Sequence, residues 1–410
     1  MSIENLLATS SQNHHDKLLI LENRYNFRIN TQECCTFRII ATLHHPYSKM
    51  MTRLPLIILT LFACHLPSQC NAESWISDQS GCKTYNPHPT DGESITWSGA
   101  CLSGYTDGKG VLIWFDQDHA FSEKEEGVFT NGKLNGQGSF TTYDGYHYDG
   151  NFLDSQGNGK GIMTTPSGDR YEGDFVNNLP NGEDVLTQSN GIRLEGDFVD
   201  GQLTGHGIMT VTPTTLLKHA LDASTTASGS MITHYEGGFI NNQFYGKGIA
   251  IFNDGTRYKG SFFNGKFNGK GILTAPDGNN YTGEFSDNTF NGKGILNLTK
   301  GGRYEGSFVD GKFNGKGTST LPNGDRFEGD FVNGAANGRG TFTWHNGDQF
   351  IGYVANGKPN GDGIQTLRNG VQIIGTFTDG QATDDVDILD ATNHPIDGVD
   401  KFKLQRVVEY

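Results

Sequence analysis

Twelve glycines recur along this chain at nearly constant intervals, and most neighbouring pairs are 23 residues apart. They are Gly99, Gly127, Gly150, Gly173, Gly196, Gly237, Gly260, Gly283, Gly306, Gly329, Gly352 and Gly375. Longer intervals follow only Gly99 and Gly196. A fixed period of this length indicates a repeat array, in which each unit packs only against its neighbours. We therefore expect one elongated array in place of two or three globular domains.

The composition favours β-structure for this array. The chain has 57 glycines in 410 residues, about twice the usual share, which is typical of disorder or of many turns. Aromatic residues make up 11% of the chain, and disordered segments are poor in them. No Gly-X-Y triplet period occurs, which excludes collagen.

The repeat at 304–326 illustrates how one unit folds. Tyr304, Gly306 and Phe308 alternate and therefore share one face of an extended strand. Asp310-Gly311 follows and predicts a two-residue hairpin turn with positive φ. The predicted opposing pairs are Phe308 with Phe313, Gly306 with Gly315 and Tyr304 with Gly317. Each Tyr ring is then expected to lie across a residue that has no side chain.

The other face of the same hairpin is polar. The same register predicts the cross-strand charge pairs Glu305 with Lys316, Glu236 with Lys247 and Glu328 with Arg339, and it places Lys259 opposite Lys270. Such opposite-charge pairs contribute about 0.2–1 kcal/mol each.

A second turn, at Pro322-Asn323-Gly324, follows from parity. Because 23 is odd, a two-residue loop must alternate with a loop of odd length, or the aromatic face would flip in every repeat. We expect a three-residue loop with its glycine in the left-handed conformation. The predicted fold is all-β: an elongated, single-layer antiparallel β-meander of about twelve 23-residue hairpins.

Aromatic residues at fixed repeat positions form a row along one face of this sheet. The candidate binding face within it is Tyr258, Phe262, Tyr281, Phe285, Tyr304, Phe308, Phe327 and Phe331. One interpretation is a docking surface for a peptide, glycan or lipid chain. The favoured alternative is that the rings hold the single layer together, because no helical period supplies a covering layer.

The pattern YEGxFxxGxxNGKG followed by a P-D/N-G turn resembles the MORN repeat (membrane occupation and recognition nexus). The match covers residues 97–381, with near-consensus copies at 304–317 and 258–271. The resemblance implies a twisted, elongated antiparallel sheet. The opening copy, at 97–110, is similar to the first repeat of exported bacterial members, with Trp97 in the Tyr position and Cys101 in the Phe position.

Some repeats depart from this pattern. Asp184 stands where other copies have their last glycine, Leu194 stands in a Tyr position, and an insertion occupies about 212–233. We expect the array to be weakest there. Residues 73–96 are predicted to form an N-terminal cap, and residues 382–410 a C-terminal cap or tail that covers the last sheet edge.

Residues 51–72 have the pattern of a secretory signal peptide, with Arg53 before an apolar run and Ala72 at its end. Residues 1–50 are then expected to be a mis-annotated leader, disordered, with the true start at Met50 or Met51. Leu61-Phe62-Ala63-Cys64 is also similar to a lipoprotein box, so Cys64 is a lipidation candidate.

The cysteines and the charge bear on compartment and partners. Removing residues 1–72 would leave Cys82 and Cys101, an even pair that in an exported chain predicts a disulfide, with two free thiols as the alternative. The net charge is −15 without a basic cluster, which argues against nucleic acid and anionic membranes as partners.

No motif for catalysis, metal binding or phosphate binding occurs, so no cofactor is expected. The kinase and methyltransferase domains that accompany these repeats in some eukaryotic families would need far more residues than follow the array. We expect a non-enzymatic scaffold or protein-binding module, exported to the periplasm or outer envelope or secreted. The alternative is peripheral association with phospholipid. The partner is expected to be an unidentified protein, and open sheet ends make a homodimer an alternative assembly.

Overall fold

A computed structural model of the chain describes residues 74–212 and 231–396. These residues form one open sheet of 28 strands and contain no helix. The strands are β1 (Ser74–Ser77), β2 (Lys83–Asn86), β3 (Ser94–Trp97), β4 (Ala100–Leu102), β5 (Tyr105–Phe115), β6 (Phe121–Thr130), β7 (Lys133–Thr142), β8 (His147–Leu153), β9 (Gln156–Thr164), β10 (Arg170–Val176), β11 (Leu179–Pro180), β12 (Gly182–Thr187), β13 (Ile192–Val199), β14 (Gln202–Val211), β15 (Ile232–Ile240), β16 (Gln243–Phe252), β17 (Arg257–Phe263), β18 (Lys266–Thr274), β19 (Asn280–Ser286), β20 (Thr289–Asn297), β21 (Arg303–Val309), β22 (Lys312–Thr320), β23 (Arg326–Val332), β24 (Ala335–Thr343), β25 (Gln349–Ala355), β26 (Lys358–Thr366), β27 (Gln372–Thr378) and β28 (Gln381–Leu389).

The strands follow one another across the sheet in chain order. From β5 to β28 each strand pairs antiparallel with the next, apart from the two-residue β11, beyond which β10 pairs with β12. At the N-terminal end, β3 and β4 both pair with β5, and β1 pairs with β2. The predicted all-β meander is confirmed.

The two turn types alternate as the odd period predicts. Asp310 and Gly311 have φ values of 48° and 77°, which makes this a two-residue turn with positive φ at both positions. At the other end of the hairpin, Leu321 N donates to Asp325 O at 2.8 Å and Gly324 N donates to Leu321 O at 2.9 Å. Gly324, with φ of 94°, closes this three-residue loop in the left-handed region.

The strand register differs from the prediction after the first pair. The observed pairs are Phe308 with Phe313, Gly306 with Gly317 and Tyr304 with Ser319. Two extra residues therefore bulge out of β22 between Phe313 and Gly317. Gly315, with φ of 77°, lies in this bulge and supplies a conformation that other residues rarely adopt. The predicted pairs beyond Phe308–Phe313 are wrong because of this bulge.

The predicted charge pairs on the polar face are wrong for the same reason. Glu305 lies opposite Thr318, Glu236 opposite Ile249, Glu328 opposite Thr341 and Lys259 opposite Ile272. Lys316 instead pairs with Asp330 of the next hairpin, with Nζ and Oδ1 2.7 Å apart. Glu305 accepts a hydrogen bond from Arg303, two residues before it on the same strand. Lys316 thus joins successive hairpins, whereas Arg303 pairs within its own strand.

Each Tyr ring lies over a pair of glycines, although not by direct opposition. An added Cβ on either Gly306 or Gly317 would lie 2.5 Å from the Tyr304 hydroxyl, which leaves no room for a side chain. That hydroxyl donates to the Ser307 carbonyl at 3.0 Å, so its burial leaves no unpaired donor. The ring also stacks on Phe313, with 3.7 Å between centroids. These contacts explain why both positions are glycine.

The rings continue from one repeat to the next. Tyr304 meets Phe308 edge to face at 5.1 Å and Phe331 of the following repeat at 5.0 Å. Such pairs contribute about 0.5–1.5 kcal/mol beyond the area that they bury. The stacked second column, which the sequence-based row omits, is Phe244, Phe267, Phe290 and Phe313. The core is therefore a continuous aromatic layer on one face.

The first repeat has the same construction with tryptophan. A Cβ on Gly99 or Gly110 would lie 2.3 Å from the Trp97 ring. Trp97 Nε1 donates to Ala100 O, three residues ahead, at 2.7 Å, as each Tyr hydroxyl does in its own repeat. Trp97 therefore occupies the Tyr position, as the family resemblance implies.

A disulfide ties the N-terminal cap to this first repeat. Cys82 is fully buried and is bonded to Cys101, with the Cα atoms 5.7 Å apart. Next to it, Thr84 Oγ1 donates to Gly132 O at 2.9 Å, which anchors β2 to the turn after β6. The predicted disulfide pairing is confirmed.

The irregular repeat accommodates Asp184 through hydrogen bonds. Its carboxylate accepts from the Tyr171 hydroxyl at 3.0 Å and from Asp174 N at 2.9 Å, and Lys160 Nζ lies 3.6 Å away. These three partners compensate the burial of the carboxylate, since hydrogen bonds to a charged group are stronger than neutral ones. We therefore find a local polar network where the other repeats have a glycine.

Other predicted segments lie at or beyond the ends of the described residues. β28 pairs with β27 along its length, so the predicted C-terminal cap begins as the second strand of the last hairpin. The leader at 1–50, the signal at 51–72 with Cys64, most of the insertion at 212–233 and residues 397–410 lie outside the described residues.

Candidate binding groove

The predicted aromatic binding face is almost completely buried. Its eight residues, Tyr258, Phe262, Tyr281, Phe285, Tyr304, Phe308, Phe327 and Phe331, each expose at most 4% of their surface. Burial in this layer raises the pKa of Tyr304 to about 12 and keeps its hydroxyl protonated at neutral pH. A ligand would find little ring surface to contact. Binding by these rings stays a prediction, whereas their contacts with one another are observed.

The opposite face carries a long open groove. It extends from His206 on β14 to Gly375 on β27 and encloses about 1890 Å³. The backbone of the paired glycines, such as Gly306 and Gly317, forms part of its surface. The flanking side chains point away from the aromatic layer because residues alternate along each strand. The groove thus repeats the same elements once per hairpin, about every 10 Å.

Three rows of side chains line this groove. The first-strand row is Glu236, Lys259, Thr282, Glu305, Glu328, Ile351 and Ile374, and the second-strand row opposite it is Ile249, Ile272, Ile295, Thr318, Thr341 and Ile364. The third row is Lys247, Lys270, Lys293, Lys316, Arg339 and Asp362. Charged, β-branched and aliphatic groups are therefore interleaved along the groove.

The basic row is accessible to a partner. The Lys316 side chain is 73% exposed although it contacts Asp330, and its hydrogen bond lowers the pKa of that carboxyl. Lys247 likewise donates to Ser261 Oγ at 2.7 Å. Exposed pairs of this kind contribute only about 0–1 kcal/mol, so a ligand can displace them at little cost.

The groove differs from the remainder of the chain in charge and polarity. Six Lys and Arg residues and five Asp and Glu residues line it, whereas the whole chain has a net charge of −15. Isoleucines add apolar surface, and Ile272 and Ile351 are 44% and 56% exposed. The groove therefore offers charged and apolar contacts side by side.

Residues 74–212 and 231–396 contain neither a cluster of metal-ligating side chains nor a membrane-spanning helix. No group of three or more His, Cys, Asp and Glu side chains is arranged to hold a metal ion there. In the same ranges, no helix has the length and apolar character needed to cross a bilayer.

The sequence contains a signal for this groove in the regular spacing of its basic residues. The NGKG element places a basic residue at a 23-residue interval, but the predicted register directed those bases at Glu residues of their own hairpin. Because of the bulge, each of these basic residues faces the next hairpin, as Lys316 faces Asp330. Together they form a continuous row.

Comparison with protein-family models identifies the repeats. The model described as MORN repeat matches ten segments: 126–145, 148–170, 171–193, 195–210, 235–257, 258–280, 281–303, 304–326, 327–349 and 350–372. Together they cover more than half of the chain. No curated protein matches it.

Two solved structures show a weak similarity to the chain. The TCP10 domain of Danio rerio CPAP, as its E1021V mutant, is 13% identical and covers 57% of this chain and 96% of its own length, with a TM-score of 0.28. The SAS-4 (dCPAP) TCP domain of Drosophila melanogaster, in complex with a proline-rich motif of Ana2 (dSTIL), is 12% identical. It covers 53% of this chain and 85% of its own, with a TM-score of 0.16. At these scores neither similarity carries an argument about function.

Proposed function

Since this chain belongs to the MORN repeat family, we propose that it is a non-enzymatic scaffold that binds a segment of another protein along its groove. The observation that carries this proposal is the groove itself, which is continuous over many hairpins and exposes its charged and aliphatic side chains. The aromatic face has no comparable accessible surface. The groove is therefore the better candidate for recognition.

The chemistry of the groove specifies the partner segment. Exposed glycine backbone allows a ligand chain to approach closely, since no side chain intervenes on the groove floor. Lys270, Lys293 and Lys316 supply one positive charge per hairpin along one side, and Ile272 and Ile295 supply apolar contacts beside them. An extended or helical segment with acidic and aliphatic residues at matching intervals complements this pattern.

The proposed location is outside the cytoplasm. The disulfide between Cys82 and Cys101 favours an oxidising compartment, because cytosolic disulfides are rare. The signal-like pattern at 51–72 supports the same location. We infer export to the periplasm or outer envelope, or secretion, and N-terminal sequencing of the native protein tests this directly.

Capture with matched variants tests the binding proposal. Residues 73–410 are immobilised in three forms: the native chain, a groove variant and a control variant. The groove variant is Lys270→Glu, Lys293→Glu and Lys316→Glu. The control is Lys266→Glu, Lys300→Glu and Lys358→Glu, which makes the same charge change at exposed lysines outside the groove.

The proposal predicts that the native and control forms capture the same protein and that the groove variant loses it. Direct titration of the purified partner should then show at least a tenfold weaker Kd for the groove variant. Capture that is equal for all three forms, or absent from all three, contradicts binding in the groove.

Peripheral membrane association is the second candidate, and one observation favours it. An apolar residue before the two-residue turn is about half exposed in many repeats: Leu153, Val176, Val199, Ile240, Phe263, Val309 and Val332. The acidic chain should then float with neutral vesicles at least as well as with anionic vesicles. Flotation only with anionic vesicles contradicts this charge argument, and no flotation excludes the candidate.

A further inference from the structure

A second cavity lies at the N-terminal end of the array, away from the groove. It encloses about 520 Å³ between the loop after β2, strands β5 and β6, and the hairpins that follow. No residue lines both this cavity and the groove. Its volume is within the range of small-molecule sites.

Aromatic rings form much of the wall of this cavity. Trp114, Tyr148, Phe152 and Phe175 line it, and each exposes at most 8% of its surface. Phe175 meets Tyr148 edge to face at 4.8 Å, which fixes both rings. The faces of such rings attract cations through their quadrupole.

One buried carboxyl, Glu125, and one partly buried carboxyl, Glu123, line the same space. Glu123 and Glu125 are two residues apart on β6 and therefore share one face of the strand. Trp114 Nε1 donates to Glu125 Oε1 at 3.2 Å, and Glu125 is only 8% exposed. The two carboxyls also share a hydrogen bond with each other when one is protonated, and in the described residues Glu125 Oε2 has no further hydrogen-bond partner. An acceptor in this position is costly unless a ligand or a proton satisfies it.

No lysine or arginine is among the described residues that line the cavity, although Lys133 Nζ lies 4.5 Å from the centroid of the lining Tyr85 ring. The other charged or titratable groups that line the cavity are Glu93, Asp116, Asp144, His88, His147, Tyr85, Tyr146 and Tyr148. The neighbouring base on β6, Lys124, contacts Glu126 at 2.9 Å and lines no part of the cavity. The lining of the cavity therefore carries an excess of acidic groups.

The outer acidic groups already have local partners. Asp116 accepts from Asp118 N and Ala120 N at 2.9 Å, and Glu93 accepts from Thr90 Oγ1 at 2.9 Å. His147 Nδ1 is 2.9 Å from Thr141 Oγ1. Among the acidic residues that line the cavity, Glu125 is the buried one and Glu123 lies beside it on the same strand face, so this pair defines the recognition point.

We propose that this cavity binds a small organic ammonium ion, with its charge against Glu123 and Glu125 and its alkyl groups against the rings. A desolvated carboxylate needs an opposite charge, and aromatic walls favour an alkylated ammonium over a strongly hydrated ion. A metal ion is less suited because the described residues contain no set of three metal ligands.

Proton competition gives this site a distinctive pH dependence. Burial, followed by repulsion from Glu125, raises the pKa of Glu123 to about 8, and burial raises the pKa of Glu125 to about 7. The empty pair therefore retains a proton near neutral pH, and the ammonium ion must displace it. Binding should release a proton and strengthen as the pH rises from 6 to 8.5.

Isothermal titration of residues 73–410 with choline and with n-butylammonium tests the proposal. The control ligand is 3,3-dimethylbutan-1-ol, which has the shape of choline without its charge. At least one ammonium ion should bind at least tenfold more tightly than the alcohol, and its affinity should increase with pH. Equal binding of the alcohol, a pH-independent affinity, or no binding of either ammonium ion overturns the proposal.

Matched variants locate the site. Glu125→Gln and Glu123→Gln should each weaken ammonium binding at least tenfold, because a neutral amide cannot pair with the cation. Glu126→Gln, on the opposite face of the same strand, should bind within twofold of the native chain. Circular dichroism checks that each variant is folded, and if Glu125→Gln is not, the less buried Glu123→Gln decides. Native affinity in a folded Glu123→Gln variant contradicts the site.

Discussion

Replacing a glycine beneath a Tyr ring should destabilise the array by a clash that depends on that ring. In Gly317→Ala the new Cβ would lie 2.5 Å from the Tyr304 hydroxyl and 2.8 Å from two ring carbons. Gly317 does not have a positive φ, so the backbone tolerates alanine. The shortest contacts of the new Cβ are with the ring, so we expect most of the penalty to arise there.

The magnitude follows from two opposing contributions. Overpacking a well-packed site costs about 1–3 kcal/mol. The smaller backbone entropy of alanine in the unfolded chain returns about 0.4–1 kcal/mol. The expected net loss in the free energy of unfolding is about 1–2 kcal/mol. Tyr304→Leu removes the ring and, following the natural Leu194, keeps an aliphatic residue at this position.

A double-mutant cycle measures the dependence on the ring. Urea unfolding followed by circular dichroism is compared for the native chain, Gly317→Ala, Tyr304→Leu and the double variant. Gly317→Ala should cost clearly less in the Tyr304→Leu background, which gives a coupling free energy of about 1–3 kcal/mol. An equal cost of Gly317→Ala in both backgrounds would refute the assignment of these glycines to the ring.

Three further predictions concern the core, the disulfide and the buried acid. Phe308→Ala should lower the free energy of unfolding by about 3–5 kcal/mol in urea titrations, whereas the exposed neighbouring Val309→Ala should change it by less than about 0.5 kcal/mol. Replacing Cys82 and Cys101 by Ser should reduce hydrogen-exchange protection of β1–β5 by about 3 kcal/mol, with β21–β28 unchanged as the internal control. Glu125 keeps its proton in the folded chain after the unfolded chain has lost it, so its cost appears as pH rises above about 4.5 and is complete above about 7. Glu125→Gln should therefore raise stability on the order of 3 kcal/mol at pH 8 and leave it unchanged at pH 4, and equal effects at both pH values would contradict the raised pKa.

The sequence alone predicted both turn types, because the conformation of a turn depends on the few residues within it. Asp310-Gly311 and Gly324 need positive φ, and the odd period requires two loop types of different parity. It was not sufficient for the register. A bulge of two residues preserves which face each side chain occupies, so the alternation of Tyr304, Gly306 and Phe308 is the same with or without it.

The same bulge explains why the sequence pattern alone did not predict the groove. An unbulged hairpin would put Lys316 opposite Glu305, where each would neutralise the other within one hairpin. The structure moves Lys316 toward Asp330 of the next hairpin and leaves a row of exposed bases along the sheet. The aromatic residues recur at fixed repeat positions, and such a row is compatible with a binding face or with a core. Their burial leaves little surface for a partner.

Lysine footprinting of the chain with its captured partner tests the central claim most directly, namely that the groove opposite the aromatic layer is the binding surface. Acetylation of exposed amines is quantified by mass spectrometry with and without partner. The groove account predicts strong protection of Lys270, Lys293 and Lys316 and unchanged labelling of Lys266, Lys300 and Lys358, which all start from exposed positions. Protection of the second set with the first set unchanged would contradict it.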